Sequence, residues 1–256
     1  MTTYHLFNLE IVDPSWRACL KQALAKMQPD YLTKLYHNTD WLPGHEKIFN
    51  AFTLPINKIQ YVLLGESPYP RAKSANGYAF WDAAVTDLWS ATGLSKAVNR
   101  ATSLRNIIKM LLVANGALHP QATSQTDIAQ VNKDNLAQTN HDFFNNFLSH
   151  GFLLLNTSLV LQSTPVHKDA KAWQPFLTYV LDFLCQQRPD VHLILLGNLA
   201  NTVDKLIAHL PSKRMYAEHP YNISFINNPT VLNFFRPLNL LQRLSSNSTM
   251  PKNSIY

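Results

Sequence analysis

The chain has 256 residues, 46% of them hydrophobic, which is enough to bury one large α/β core or two small ones. Its 22 Lys and Arg against 16 Asp and Glu leave a formal charge of +6, a balance that favours polyanions such as nucleic acid without resembling a histone-type tail. Two cysteines, Cys19 and Cys185, lie far apart with no C-x-x-C spacing, which argues against a disulfide framework and against a zinc site.

The chain opens Met-Thr-Thr-Tyr-His-Leu, with no basic region ahead of an apolar stretch, and no apolar run approaches membrane-spanning length. A soluble, cytoplasmic protein is therefore expected. Asp13-Pro14, followed by Trp16, Cys19, Leu20 and Leu24, gives an N-cap, a first-turn proline and an apolar stripe at helical spacing. The apolar run 59–64 ends at Gly65, as a buried strand entering a tight loop would. Ser103 is a candidate cap for a helix whose apolar face is Leu104, Ile107, Ile108, Leu111 and Leu112. Residues 119–140, rich in Gln, Asn, Thr and Asp, read as a surface loop running into a polar helix. A second strand is expected over 152–156, after Gly151, and a further helix over 173–185, with Phe176, Tyr179, Val180 and Phe183 on one side. A third strand spans 191–196, before Gly197, and residues 245–256 read as a polar, frayed end.

Strands alternating with helices imply a parallel sheet covered on both faces, with ligands bound in the crevice at the strands' carboxyl ends. The residues just after each strand are where chemistry is expected. There the sequence reads Gly65-Glu66-Ser67-Pro68-Tyr69-Pro70, then Gly77-Tyr78-Ala79-Phe80, then Leu153-Leu154-Leu155-Asn156-Thr157, and later Glu218-His219-Pro220-Tyr221-Asn222-Ile223-Ser224. In order and separation these resemble the G-Q-D-P-Y-H, G-x-A-F, L-L-L-N-T and H-P-S-P-L-S motifs of family 1 uracil-DNA glycosylases. Supporting stretches at 48–52, 103–107 and 167–173 extend the resemblance over roughly residues 40 to 245. One such motif alone is weak; four in order, each at a strand end, are specific.

The resemblance implies a single-domain three-layer α/β/α fold with a central, mostly parallel four-stranded sheet over residues 1–245 and a polar tail over 246–256. It also implies a monomeric base-excision repair enzyme that flips uracil, or another deaminated base, out of single- or double-stranded DNA and hydrolyses its N-glycosidic bond without cofactor or metal. Asn156 would read the uracil edge, since an amide offers a donor and an acceptor together. By itself, it would read as a turn asparagine. Phe80 would stack on the base and Tyr69 would exclude a thymine methyl; each alone would pass for a core aromatic. His219 would donate to uracil O2 as the base leaves as an anion. Ile223 would fill the gap left by the extruded nucleotide, with Ser103 and Ser224 on the DNA backbone. Arg71, Lys73, Lys213 and Arg214 flank the motifs and are candidate phosphate contacts.

The pattern breaks at Ser67, where the family has a water-orienting aspartate: a hydroxyl can hold water but supplies no anion. Glu66 stands where family 1 has glutamine, and the G-E-A-P-G loop of family 4 carries a glutamate there. Glu66 is either the substitute acid, with Ser67 assisting the water, or a residue that bonds loop backbone or a neighbouring base. Pro70 replaces the family histidine, Tyr221-Asn222 departs from the family loop, and 100–103 replaces a proline-rich stretch. Asp82 and Asp87 lie nearby with no role implied. An enzyme is the leading reading; a glycosylase fold that binds DNA or a damaged base without excision, and an enzyme with an altered substrate, are the alternatives.

Overall fold

A computed structural model describes residues 7–162 and 166–243. Its helices are α1 (Pro14–Ala25), α2 (Pro29–His37), α3 (Lys96–Arg100), α4 (Thr102–Ala114), α5 (Gln125–Gln130), α6 (Asn140–Ser149), α7 (Val166–Gln187), α8 (Leu199–Leu206) and α9 (Pro229–Phe235). The strands are β1 (Tyr61–Gly65), a short antiparallel pair β2 (Trp89–Ser90) and β3 (Gly93–Leu94), then β4 (Phe152–Asn156), β5 (His192–Leu196) and β6 (Lys213–Ala217). The main sheet has the order β4-β1-β5-β6, and every neighbouring pair is parallel.

Alternate residues along each strand point to opposite faces, and here both faces are apolar. Val62, Leu64, Leu153, Leu155, Leu193 and Leu195 join one core with Trp16 and Leu20 of α1 and Trp173, Phe176 and Val180 of α7. Leu63, Leu154, Ile194 and Leu196 join the other, with Leu104, Ile108 and Leu111 of α4 and Phe143, Phe144 and Phe147 of α6. The three-layer α/β/α architecture with a four-stranded parallel sheet follows directly.

Asp13 caps α1 by accepting from the Ser15 amide at 2.9 Å, with Pro14 in the first turn. Other elements differ from the sequence reading. Ser103 does not cap α4: the N-cap position is Ala101, which has no side chain to offer, and Ser103 sits inside the first turn. The 119–140 stretch carries the capped helix α5, where Ser124 and Asp127 bond reciprocally, and it buries Ile128, Ala137 and Asn140. Helix α7 begins at Val166, ahead of the expected 173, and contains Pro175. The expected frayed end at 245–256 lies outside the described residues.

Chain order along the sheet reverses between β1 and β5: β1 leads to β4 on one side, and β4 leads back across to β5 on the other. In such sheets the crevice opens at that switch point.

Candidate active site

Gly65 closes β1 directly opposite Asn156, the last residue of β4. Pairing continues past the strands: the Thr157 amide donates to Gly65 O at 2.8 Å and the Ser158 amide to Glu66 O at 3.0 Å, while Thr157 Oγ1 donates to Glu66 O at 2.9 Å. The Glu66 backbone is thereby fixed while its side chain is exposed, and no hydrogen bond engages that carboxylate among the described residues. A Cβ at position 65 would stand 2.5 Å from Asn156 Oδ1, so glycine is what lets the amide fold across the strand end. Asn156 is 3% exposed, and no described residue hydrogen-bonds its side chain. Its polar atoms are not sealed from solvent among the described residues, so the amide is open to a ligand that would bond both its oxygen and its nitrogen.

The loop from Ser67 to Phe80 wraps this strand end. Gly77 turns it at φ +89°, pressed against the Lys47 carbonyl, and the Ala79 amide donates to Leu154 O at 3.0 Å. Phe80 itself sits at φ +63°, a left-handed conformation that costs a side-chain-bearing residue about 1–3 kcal/mol and that gathers at functional sites. Tyr69 Oη donates to Phe80 O at 3.1 Å. Burial first, and then the Asp82 charge, push the Tyr69 phenol well above its ordinary range, so it remains a neutral donor. Arg71 Nη2 meets Asp82 Oδ2 at 3.0 Å, the Asp82 carboxylate being 2% exposed and also accepting from the Ala84 amide at 2.9 Å. Asn140 Nδ2 donates to Asp82 O at 2.8 Å. The segment carrying Tyr69 is thus tied to the segment carrying Phe80 at two points.

His219 follows β6 and faces this assembly, its ring centroid 6.0 Å from that of Phe80. The Tyr221 amide donates to His219 Nδ1 at 3.1 Å, so the neutral ring carries its proton on Nε2. Burial lowers the imidazole pKa below its ordinary value, with the Glu66 carboxylate pulling the other way. A neutral Nε2–H donor beside a carboxylate is the result. Gly197, at φ +62° after β5, makes room for it, since a Cβ there would lie 2.8 Å from His219 Cβ.

A cavity of 590 Å³ opens at the switch point, lined by Gly65, Glu66, Leu196, His219 and Tyr221, with Asn198, Leu199 and Thr202 at the start of α8. Asn156, Tyr69 and Phe80 do not line it, although the Phe80 ring adjoins that of His219, which does. A second hollow of 180 Å³ is lined by Arg71, Lys73, Asp82 and Arg100, next to the uncapped start of α4.

The structure brings Glu66, Ser67, Tyr69, Phe80, Asn156 and His219 to one edge of the sheet. Ile223 (80% exposed) and exposed Ser224 follow on the adjoining turn, and Ser103 is half-buried in the first turn of α4. Lys213 and Arg214 are not brought there. They begin β6 and so lie at the amino end of the sheet, and Arg214 is consumed by Asp204 at 2.8 Å and by the Ile207 and Leu210 carbonyls. Asp87 is exposed and pairs through its backbone with Thr139, away from the site. The side chain of His167 lies outside the described residues. Among the described residues, no group of three His, Cys, Asp or Glu is placed to hold a metal ion.

Asn198 and Thr202 escaped the sequence reading, Asn106 was given no role in it, and Asp82 and Tyr221 were noted without one. Asn106, 2% exposed, follows Arg105 in the polar first turn of α4, where nothing in the sequence marks it as buried.

No family model matches the chain. The uracil-DNA glycosylase of Pseudomonas fluorescens (strain Pf0-1) is 26% identical over 224 residues, covering 83% of this chain and 82% of that protein. The uracil-DNA glycosylase of Fusobacterium nucleatum is 27% identical over 222 residues, 83% of each. Among solved structures, the wild-type UNG of Nitratifractor salsuginis superposes with a TM-score of 0.88 at 38% identity, covering 94% of this chain and 96% of that one. Likeness of that degree, running nearly end to end through the strand-end motifs, makes this chain a member of the uracil-DNA glycosylase family.

Proposed function

We propose that the protein excises uracil from DNA by hydrolysing its N-glycosidic bond, the opening step of base-excision repair, and that Glu66 supplies the negative charge which the Ser67 position lacks. The observation that carries the reading is the unengaged amide of Asn156, folded across Gly65 at the end of the sheet that also leads to His219.

Each residue has a physical task in this reaction. With its oxygen turned to N3–H and its nitrogen to O4 of the flipped base, the Asn156 amide matches uracil, whereas cytosine needs the opposite orientation of the amide. Phe80 stacks on the ring, and Tyr69 fills the space that a thymine methyl would need. As the bond from C1′ to N1 breaks, its electron pair passes to the base, and His219 Nε2–H donates to the oxygen on which that charge gathers. The Glu66 carboxylate faces the cationic sugar and takes a proton from the water whose oxygen adds at C1′; the Ser67 hydroxyl holds that water. Ile223 enters the duplex, while Ser103, Ser224, Arg71 and Lys73 bear on the backbone. The enzyme acts as a monomer.

The test is release of uracil from single-stranded and duplex oligonucleotides carrying one uracil, by the parent and by Asn156→Ala and Ser67→Asp. Release by the parent, lowered at least about a hundredfold in Asn156→Ala, is expected, since an unmatched polar edge is rejected strongly. An inert parent with an active Ser67→Asp would instead identify a disarmed glycosylase fold that binds without excision.

A further inference from the structure

We propose that Tyr221 is a second DNA-reading side chain beside Ile223: an aromatic platform that stacks on a base next to the extruded uridine, in the strand that carries it. The proposal rests on the uracil-excision reading and adds to it a residue the motif resemblance does not supply.

Tyr221 is 68% exposed and Ile223 80% exposed, the most exposed large hydrophobic residues among those described. Other exposed tyrosines are engaged. Tyr216 Oη donates to Asp204 at 3.0 Å, and Tyr36 packs edge-on against His37 and His45. Neither a hydrogen bond to its hydroxyl nor an aromatic contact engages the Tyr221 ring among the described residues.

Its exposure does not come from a loose loop. Buried Asn106 of α4 directs Nδ2 at three successive carbonyls, Pro220 O at 2.7 Å and Tyr221 O and Asn222 O at 3.4 Å each. The Asn222 amide also donates to His219 O at 2.9 Å, closing the turn. With these carbonyls turned inward onto one amide, the side chains of 221 to 223 are left facing solvent. A rigid backbone presenting an unpartnered aromatic is the arrangement in which little ordering entropy remains to be lost on binding.

The position fixes the occupant. Tyr221 lines the same cavity as Glu66 and His219, and its own amide holds His219 Nδ1, so whatever the ring meets adjoins the nucleotide being cleaved. Every base has a π-face, and stacking on an aromatic ring is tolerant of sequence. A neighbouring base in that strand is flat, apolar on its faces and adjacent by covalent connection.

The experiment measures binding of the full chain to two single-stranded oligonucleotides by fluorescence anisotropy. Both carry a tetrahydrofuran abasic analogue in place of uridine; in one the flanking residues are adenines, in the other they are abasic analogues too. The parent is expected to prefer the adenine-flanked strand about tenfold, at the lower end of the stacking range. Tyr221→Ser is expected to lose that preference and Tyr221→Phe to keep it. A preference unchanged in Tyr221→Ser, or absent in a parent that does release uracil, overturns the proposal and leaves the excision reading standing. A parent that neither releases uracil nor binds either strand sinks both. A change in sedimentation of Tyr221→Ser with the preference intact would assign the ring to contact with a second copy of the chain, and also overturns it.

Discussion

His219 is held neutral by its surroundings against the pull of a nearby acid. Burial lowers its pKa, the Glu66 carboxylate raises it, and burial is the larger effect. Its titration midpoint is therefore expected below the ordinary histidine value of about 6.5, with the proton on Nε2 at neutral pH because the Tyr221 amide occupies Nδ1. Nitrogen-resolved NMR of the imidazole checks both points. Glu66→Gln is expected to move the midpoint further down, since it removes the charge that favours the imidazolium. A midpoint that rises or stays still would mean that the carboxylate does not face the ring. At this scale the shared location of Glu66, Asn156 and His219 was legible because each lies at or just past the end of a strand or within a recognisable loop motif. Asn106 and Tyr221 were not: a buried amide 114 positions from the carbonyl it holds leaves no local trace.

The strand ends do more than carry side chains; their glycines set how closely the chain can approach itself. Gly197 and Gly116 both have positive φ, +62° and +74°, but a Cβ at 197 would meet His219 Cβ at 2.8 Å, while one at 116 meets nothing within 4 Å. Gly197→Ala and Gly116→Ala are each expected to lose about 1–2 kcal/mol from backbone strain. Only Gly197→Ala is expected to slow uracil release, by displacing His219. Thermal melts alongside release assays separate the two effects, and equal loss of activity in both variants would detach Gly197 from the site. Strands β1, β4 and β5 could be read from sequence because both their faces are buried, which leaves an uninterrupted apolar run. Strand β6, Lys-Arg-Met-Tyr-Ala at the sheet edge, buries only Met215 and gives no such run. Its tertiary pairing with β5, through register His192↔Lys213, makes it a strand. Because β6 runs parallel to β5, Lys213 and Arg214 begin it at the amino end of the sheet, while His219 follows its carboxyl end.

Across the whole molecule, the parallel sheet converts sequence order into a single edge: residues 65 to 69 at the end of β1 and beyond it, 156 at the end of β4 and 219 after β6 meet although they are spread over more than half of the chain. The candidate backbone contacts Arg71 and Lys73 line a hollow beside the start of α4, together with Arg100 and next to the loop that carries Tyr69. The described helices include none long and apolar enough to cross a membrane. The cavity at the carboxyl end of the sheet is lined by Glu66 and His219. The central claim is that the Glu66 carboxylate replaces the missing acid. The direct measurement is the single-turnover rate of uracil release from a single-stranded oligonucleotide, with enzyme in excess, for the parent and for Glu66→Gln. A fall of about a hundredfold or more is expected, the usual contribution of a positioned acid or base, with binding to the abasic-analogue strand retained. A Glu66→Gln protein that releases uracil at the parent's rate would contradict the claim.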